Sequence, residues 1–262
     1  MILTNDNYYS SEANWKYMSV SQYKQFRKCE AMAMAELKGE WKQPKLTALL
    51  VGSYVDSYFE GTLQDFAIQN PEIFKRSGDL RAEYIQAEEI IDRIESDEVF
   101  MYYMSGEKQR IFTRELFGVP WKIKVDSLLP DKIVDLKIMR SMERIMGKSF
   151  VEHWGYDLQM AVYSKTEGND LETYLAVATK QTPIDLEIIH VPKWRHEELL
   201  SDVERFLPHI IDVKSGKIEP ERCGVCEYCR ATKKLTEPID FELVGLSLAE
   251  RKALFGGLGY DK

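Results

Sequence analysis

The chain has 262 residues, 44% of them hydrophobic and 30% charged, with a net charge of -8 at pH 7. That is enough chain for one large α/β domain with a real core, and too mixed a composition for a disordered tract. It also argues against a surface coated in positive charge, while leaving room for a local basic groove. No apolar run approaches the roughly 20 residues that a bilayer requires. The first residues lack a basic segment followed by an apolar one, so the expected setting is cytoplasmic, with no membrane partner.

Near the start, SVSQYKQFRKCEAMAMAEL sets Tyr23, Phe26, Ala33 and Leu37 at helical spacing behind serines that can cap, which predicts one helix with Cys29 on it. A second helix is expected from Leu46 to Glu60, and a third from Leu80 to Phe100 with Tyr84, Ala87, Ile91 and Ile94 inward. The period then changes to two. QRIFTRELFG, WKIKVDSLL and KIVDLKIM read as three antiparallel strands joined by turns at GVP and PD. SFVEHWGYDLQMAVYSK returns to helical spacing, with Val151, Trp154, Leu158 and Ala161 inward, and the strands ETYLAVAT and DLEIIHV follow. A helix from Trp194 to Ile211, interrupted at Pro208, leads to RCGVCEYC. The chain closes on SLAERKALFGG, where Ser247 and Glu250 form a capping box and Gly256 a C-cap. Helices, meander, helix, two strands, helix: the order reads as an α/β or α+β sheet with helices on its faces.

The turn at Pro130-Asp131 carries the first chemical signal. A symmetric hairpin about it pairs Leu129 with Lys132 and, counted back, sets Asp126 opposite Asp135. Opposed carboxylates repel, so a positive group belongs between them. Lys137 lies two residues beyond Asp135 on the same face, roughly 6.6 Å along the strand, while Val134, Leu136 and Ile138 face the other way. Two carboxylates and an ammonium on one patch suit a hard divalent cation such as Mg²⁺ and phosphodiester hydrolysis. The bland alternative is a solvated sheet face, its charge balanced by Lys122, Lys124 and Lys132.

Asp126, Asp135-Leu136-Lys137 and Tyr156-x-x-Gln159-x-x-x-Tyr163 together resemble the D…(D/E)xK…QxxxY signature of the PD-(D/E)xK nuclease superfamily. The likeness is to its branch of phage exonuclease VIII (RecE-like) proteins, the AddB nuclease domain and spacer-acquisition nucleases. On the helix, Glu152, Tyr156, Gln159 and Tyr163 fall on one stripe. The resemblance implies a restriction-endonuclease-like α/β core with a mixed central sheet flanked by helices. It implies Mg²⁺ or Mn²⁺ held by Asp126 and Asp135 with the Leu136 carbonyl as a further ligand, Lys137 orienting or activating the attacking water, and Gln159 and Tyr163 supporting the lysine or the DNA. Where the family pattern has G-x-x-x-H, this chain has Gly52-Ser53-Tyr54-Val55-Asp56. Asp56 is then a ligand, direct or through water, or a solvent-facing helix residue.

Cys223, Cys226 and Cys229 form a C-x₂-C-x₂-C run like the loop around a cubane cluster, with Cys29 available as fourth ligand. The iron-sulfur members of the same branch share the arrangement of one N-terminal and three C-terminal cysteines. The expected cofactor is a [4Fe–4S] cluster, with Zn²⁺ as the alternative; coordination across almost 200 residues would couple the ends of the domain. Arg222, Arg230, Lys233 and Lys234 would lie along a DNA path or form a solvated basic loop. His153, His190, His196 and His209 show no metal-ligand spacing.

The resemblance spans Ser19 to Lys234, and the expectation is one nuclease domain over residues 1–262. Within it, 19–60 are helices with the first cluster cysteine, 107–191 the catalytic sheet and helix, 194–235 the last long helix and Cys-rich loop, and 236–262 a tail. The implied activity is metal-dependent DNA exonuclease action in phage or prophage recombination, upstream of a strand-annealing recombinase. A DNA-binding or scaffold protein that keeps the fold without cleavage is the competing reading.

Overall fold

The computed structural model describes residues 1–42, 47–235 and 238–255; Leu46 and Gly256 lie outside them. In chain order the helices are α1 (Ser11–Lys16), α2 (Val20–Lys28), α3 (Glu30–Leu37), α4 (Thr47–Glu60), α5 (Leu63–Gln69), α6 (Ala82–Glu95), α7 (Glu98–Tyr103), α8 (Phe150–His153), α9 (Tyr156–Glu167), α10 (Lys193–Lys214), α11 (Glu227–Ala231) and α12 (Leu248–Phe255). The strands are β1 (Arg110–Leu116), β2 (Val119–Val125), β3 (Ser127–Leu129), β4 (Lys132–Met139), β5 (Glu172–Thr179) and β6 (Leu186–Val191). Two compact units result: one from residues 1–7 and 44–203, the other from 8–43 and 204–262.

The first unit is a mixed α/β fold. Its four-stranded sheet runs β3-β4-β5-β6, with β4 and β5 parallel and the outer pairs antiparallel. A parallel neighbour needs a crossover, and α8 and α9 supply it between β4 and β5. Strand β4 is apolar enough for burial on both faces. Its Val134 and Leu136, with Ala176 and Ala178 of β5, pack among Tyr54 and Val55 of α4 and Ala87, Ile90, Ile91 and Ile94 of α6. On the other face Leu175, Val177 and Val191 pack against Phe150 and Met160. Each fully buried aliphatic side chain contributes roughly 1.5–3 kcal/mol.

The predicted meander is present in register but interrupted. β1 and β2 form their own hairpin, turning at Phe117-Gly118 with both residues at positive φ, one step earlier than GVP. Pro120 is therefore inside β2, opposite Glu115. β3 and β4 pair from Leu129↔Lys132 to Ser127↔Val134, the register expected from the Pro130-Asp131 turn. Between the two hairpins stands Asp126, outside both strands.

Three predicted helices divide. Cys29 is extended (φ -167°, ψ 106°) between α2 and α3, so it punctuates the helices rather than lying on one. The Leu80–Phe100 helix breaks into α6 and α7, where Asp97 caps α7 by accepting from the Phe100 N–H at 2.9 Å. Gly155, at φ 62°, separates α8 from α9, and Ser149 with Glu152 forms a capping box on α8. Glu152 is thus off the Tyr156-Gln159-Tyr163 stripe, and Trp154 is half exposed rather than inward. In contrast, α10 continues through Pro208 without a break. The Ser247–Glu250 capping box forms as expected.

Candidate active site

Asp126 sits where two ladders stop. The register that pairs Glu107 with Leu128 and Arg110 with Val125 places Gln109 across from it on one side; the β3–β4 register places Asp135 across from it on the other. Its side chain stands in for the missing ladder bond. Oδ2 accepts from the Leu136 N–H at 3.0 Å, and Oδ1 faces the Gln109 amide at 3.4 Å. Gly106 makes the approach of this segment to β3 feasible, since a Cβ there would lie 2.5 Å from the Leu128 backbone.

Asp135 is buried at 2% exposure on β4. Its Oδ1 accepts from Gln159 Nε2 at 2.5 Å, which fixes the α9 stripe over the strand. Its Oδ2 is held in an ion pair by the Lys137 ammonium. Lys137 Nζ also donates to the Leu136 carbonyl at 3.2 Å and lies 5.2 Å from the centre of the Tyr156 ring. The Tyr156 hydroxyl in turn reaches Met139 Sδ at 3.3 Å. Tyr163 packs in the apolar layer of Phe150, Met160, Leu175 and Val177, so the aromatic ring against the lysine is that of Tyr156. On α4, Asp56 and Glu60 are one turn apart, and Glu60 Oε1 accepts from Gln109 Nε2 at 2.6 Å.

The acids repel one another in a buried setting. Burial, then the charge of Asp135, pushes the Asp126 carboxyl up to about 7. Asp56 is held well above the usual carboxylate range by burial and by Asp126, with Lys137 opposing. Burial alone would lower the Lys137 ammonium, but Asp135 and Asp126 outweigh it and hold it above the ordinary lysine value. Lys137 is therefore a fixed cation.

This donor set fits a divalent cation: Asp126, Asp135 and Asp56 supply hard carboxylate oxygens whose mutual repulsion in a partly desolvated setting a cation would offset. Among the described residues, the one group of three or more His, Cys, Asp or Glu side chains already gathered closely enough to hold an ion is a set of four thiols in the second unit. The Leu136 carbonyl is engaged by Lys137.

The solvated-face alternative does not hold. Lys122 and Lys132 are buried, at 2% and 7% exposure, as is Asp135. Burial pushes the Lys122 ammonium down to about 8, and Lys132 pairs with Asp131 at 2.6 Å rather than balancing the site. Sequence reasoning missed Gln109, Glu60 and the contact role of Tyr156. Glu60 has a readable signal, four residues after Asp56 on one helix. Gln109 has none before the register is known.

In the second unit Cys29, Cys223, Cys226 and Cys229 bring their four Sγ atoms within 4.8 Å of one another, with no disulfide. Cys29 and Cys229 are 3.6 Å apart across 200 residues of chain. Backbone N–H groups point at the sulfurs: Cys226 N–H at Cys223 Sγ (3.3 Å) and Cys229 N–H at Cys226 Sγ (3.4 Å). Burial pushes the thiols of Cys29, Cys226 and Cys229 up, whereas at Cys223 backbone donors overcome burial and bring it to about 7. Four converging thiols with N–H···S support suit a thiolate-loving ion or cluster. Arg222 donates to the Cys229 carbonyl (3.2 Å) and Thr232 Oγ1 (2.6 Å), and Arg230 to the Val225 carbonyl (3.0 Å). Both arginines brace the loop; Lys233 and Lys234 are exposed.

Three of the four histidines meet polar partners, His196 with Thr173 (3.2 Å), His190 with Glu172 (2.9 Å) and His209 with Glu30 (2.7 Å), and His153 lies edge-on to Trp154. No helix among the described residues is long and apolar enough to cross a membrane.

A family described as "PDDEXK-like domain of unknown function (DUF3799)" matches residues 19–232. Among solved structures, the chain is similar to a crystal structure of a "putative exonuclease" from Eubacterium rectale, at 50% identity and a TM-score of 0.90 over 94% of this chain and 99% of that one. Comparison with curated proteins finds no match.

Proposed function

The chain belongs to the family of PDDEXK-like domains (DUF3799), and from that premise we propose that it is a divalent-metal-dependent deoxyribonuclease that degrades DNA from its ends. The observation that carries the reading is the Asp126–Asp135–Lys137 constellation. The buried Asp135 and the half-buried Asp126 meet beside a cation that they keep protonated, and the description of the E. rectale relative as a "putative exonuclease" supports the same reading.

Asp126, Asp135 and Asp56 would hold Mg²⁺ or Mn²⁺, which when bound supplies Lewis acidity at the scissile phosphate. The chain's own residues do the rest. The Leu136 N–H holds Asp126 Oδ2 and Gln159 holds Asp135 Oδ1, so one oxygen of each acid is fixed, while Asp126 Oδ1 meets the Gln109 amide and Asp135 Oδ2 the Lys137 ammonium. Lys137, held protonated and ion-paired by the acids, orients or activates the attacking water and faces developing negative charge as a donor. Tyr156 presents its ring beside that ammonium and limits where it can swing.

The four cysteines would hold a [4Fe–4S] cluster, with Zn²⁺ as the alternative, in a structural role; free thiols fit a cytoplasmic setting. End resection ahead of a strand-annealing recombinase, as in phage and prophage recombination, is the process this activity would serve.

The test is incubation of linear and covalently closed DNA with Mg²⁺ and protein. Nucleotide release from linear DNA only, abolished by Asp126→Ala and slowed about 10²–10³-fold by Lys137→Ala, is the expected result. DNA binding with no release by the wild type would favour a non-cleaving DNA-binding role, and release that survives both substitutions would remove the site assignment.

A further inference from the structure

Gln109 stands in the left-handed region, φ 53°, at a step that glycine would occupy without strain. It is the residue directly across from Asp126 in the register that joins residues 107–116 to 119–128, at the point where that ladder is interrupted. Its side-chain nitrogen serves two acids at once, donating to Glu60 Oε1 at 2.6 Å and facing Asp126 Oδ1 at 3.4 Å. Its Oε1 is buried without a hydrogen bond. An amide in a strained backbone position, with one end unsatisfied, is not explained by packing or by local turn chemistry.

We infer that Gln109 is a positioning residue: its Nε2 ties Glu60 of α4 to Asp126 at the strand break, and so fixes which oxygen of Asp126 a cation meets. The inference rests on the cation-binding reading of the site given above. The geometry on the two sides of Asp126 is complementary. The Leu136 N–H takes Oδ2 at 3.0 Å, and the Gln109 amide reaches Oδ1. Without the amide, Oδ1 is free to turn and Glu60 faces Asp126 directly. Groups that hold metal ligands by a second hydrogen bond typically change metal affinity 10–100-fold when removed.

Two substitutions separate a positioning role from a structural one. Gln109→Gly suits the backbone and deletes the amide; Gln109→Met keeps the length and deletes only the polar atoms. The readouts are Mn²⁺ binding by titration calorimetry, thermal unfolding, and separate kcat and KM on linear DNA. The expected result for both is a Mn²⁺ dissociation constant raised about tenfold or more, kcat lowered with KM for DNA within about twofold of wild type, and for Gln109→Gly a Tm within a few degrees of wild type. Mn²⁺ affinity within about twofold of wild type in both folded variants overturns the inference, as does loss of the fold in both, which would make the residue structural. A wild type that binds Mn²⁺ but cleaves no DNA defeats the nuclease reading, and the calorimetric comparison still decides the role of Gln109.

Discussion

The oxygen-lined centre of the first unit and the sulfur-lined centre of the second are built on opposite principles. The four thiols converge within 4.8 Å, supported by N–H···S contacts. Protonated thiols carry no charge, so they can gather before any ion arrives. The carboxylates repel, and each is held by a separate device: the Leu136 N–H for Asp126, Gln159 and Lys137 for Asp135, and a place on α4 for Asp56. The thiol arrangement ties distant chain segments together; the carboxylate arrangement holds a repulsion that a cation would relieve. Removing a thiol should therefore damage the fold, and removing an acid should damage chemistry while easing the fold.

The largest effect should follow Cys29→Ser combined with Cys229→Ser. These delete two ligands that bridge 200 residues. Loss of the ion that the proposed site would hold should lower stability on the order of 5 kcal/mol or more, read by metal content and thermal unfolding; an unchanged melting curve would erase the contrast. Next is Lys137→Ala, expected to slow DNA hydrolysis about 10²–10³-fold and, with chelator present, to lower the melting temperature, because it leaves the buried Asp135 carboxylate without its ion-pair partner.

Asp126→Asn tests the tension itself. The folded-state carboxyl lies at about 7, above the roughly 3.9 of an unfolded aspartate. The folded chain thus binds more protons between these values, and stability falls as pH rises from about 4 to about 7. With chelator present, Asp126→Asn should remove that fall and stabilise the protein at pH 8 by about 1–3 kcal/mol, while abolishing hydrolysis. A destabilised variant, or a wild-type melting temperature flat across that window, would contradict the stored repulsion. The smallest effect expected is from Gln159→Leu, which frees Asp135 Oδ1. It should weaken Mn²⁺ binding and kcat about tenfold and leave KM for DNA nearly unchanged.

Much of this was legible in the sequence because the informative features are short-range. The Pro130-Asp131 turn fixes the Leu129–Lys132 pairing, and with it the facing of Asp126 and Asp135, within about ten residues. The C-x₂-C-x₂-C run is likewise local, and Cys29 follows as the one remaining cysteine. What escaped depended on single-residue backbone choices overriding periodicity. Gly155 in the left-handed region splits a helix whose apolar spacing reads as continuous, and so puts Trp154 outside and Tyr156 beside Lys137. Cys29 adopts an extended conformation between two helices for the same kind of reason, a tertiary demand on its thiol. Lys132 reads as surface because alternation assigns charged residues to water, whereas its four-stranded sheet is covered on both faces; Lys122, on the separate β1–β2 hairpin, is buried as well. Gln109 was invisible because its importance lies in a register between strands.

The central claim is that the break between the two hairpins is a cation site. Crystals grown with Mn²⁺ and measured above and below the manganese absorption edge test it most directly. The account predicts an anomalous peak bound by carboxylate oxygens of Asp126 and Asp135 beside the Lys137 ammonium. Saturating Mn²⁺ with no peak there, or with Mn²⁺ seated only elsewhere on the chain, would contradict it.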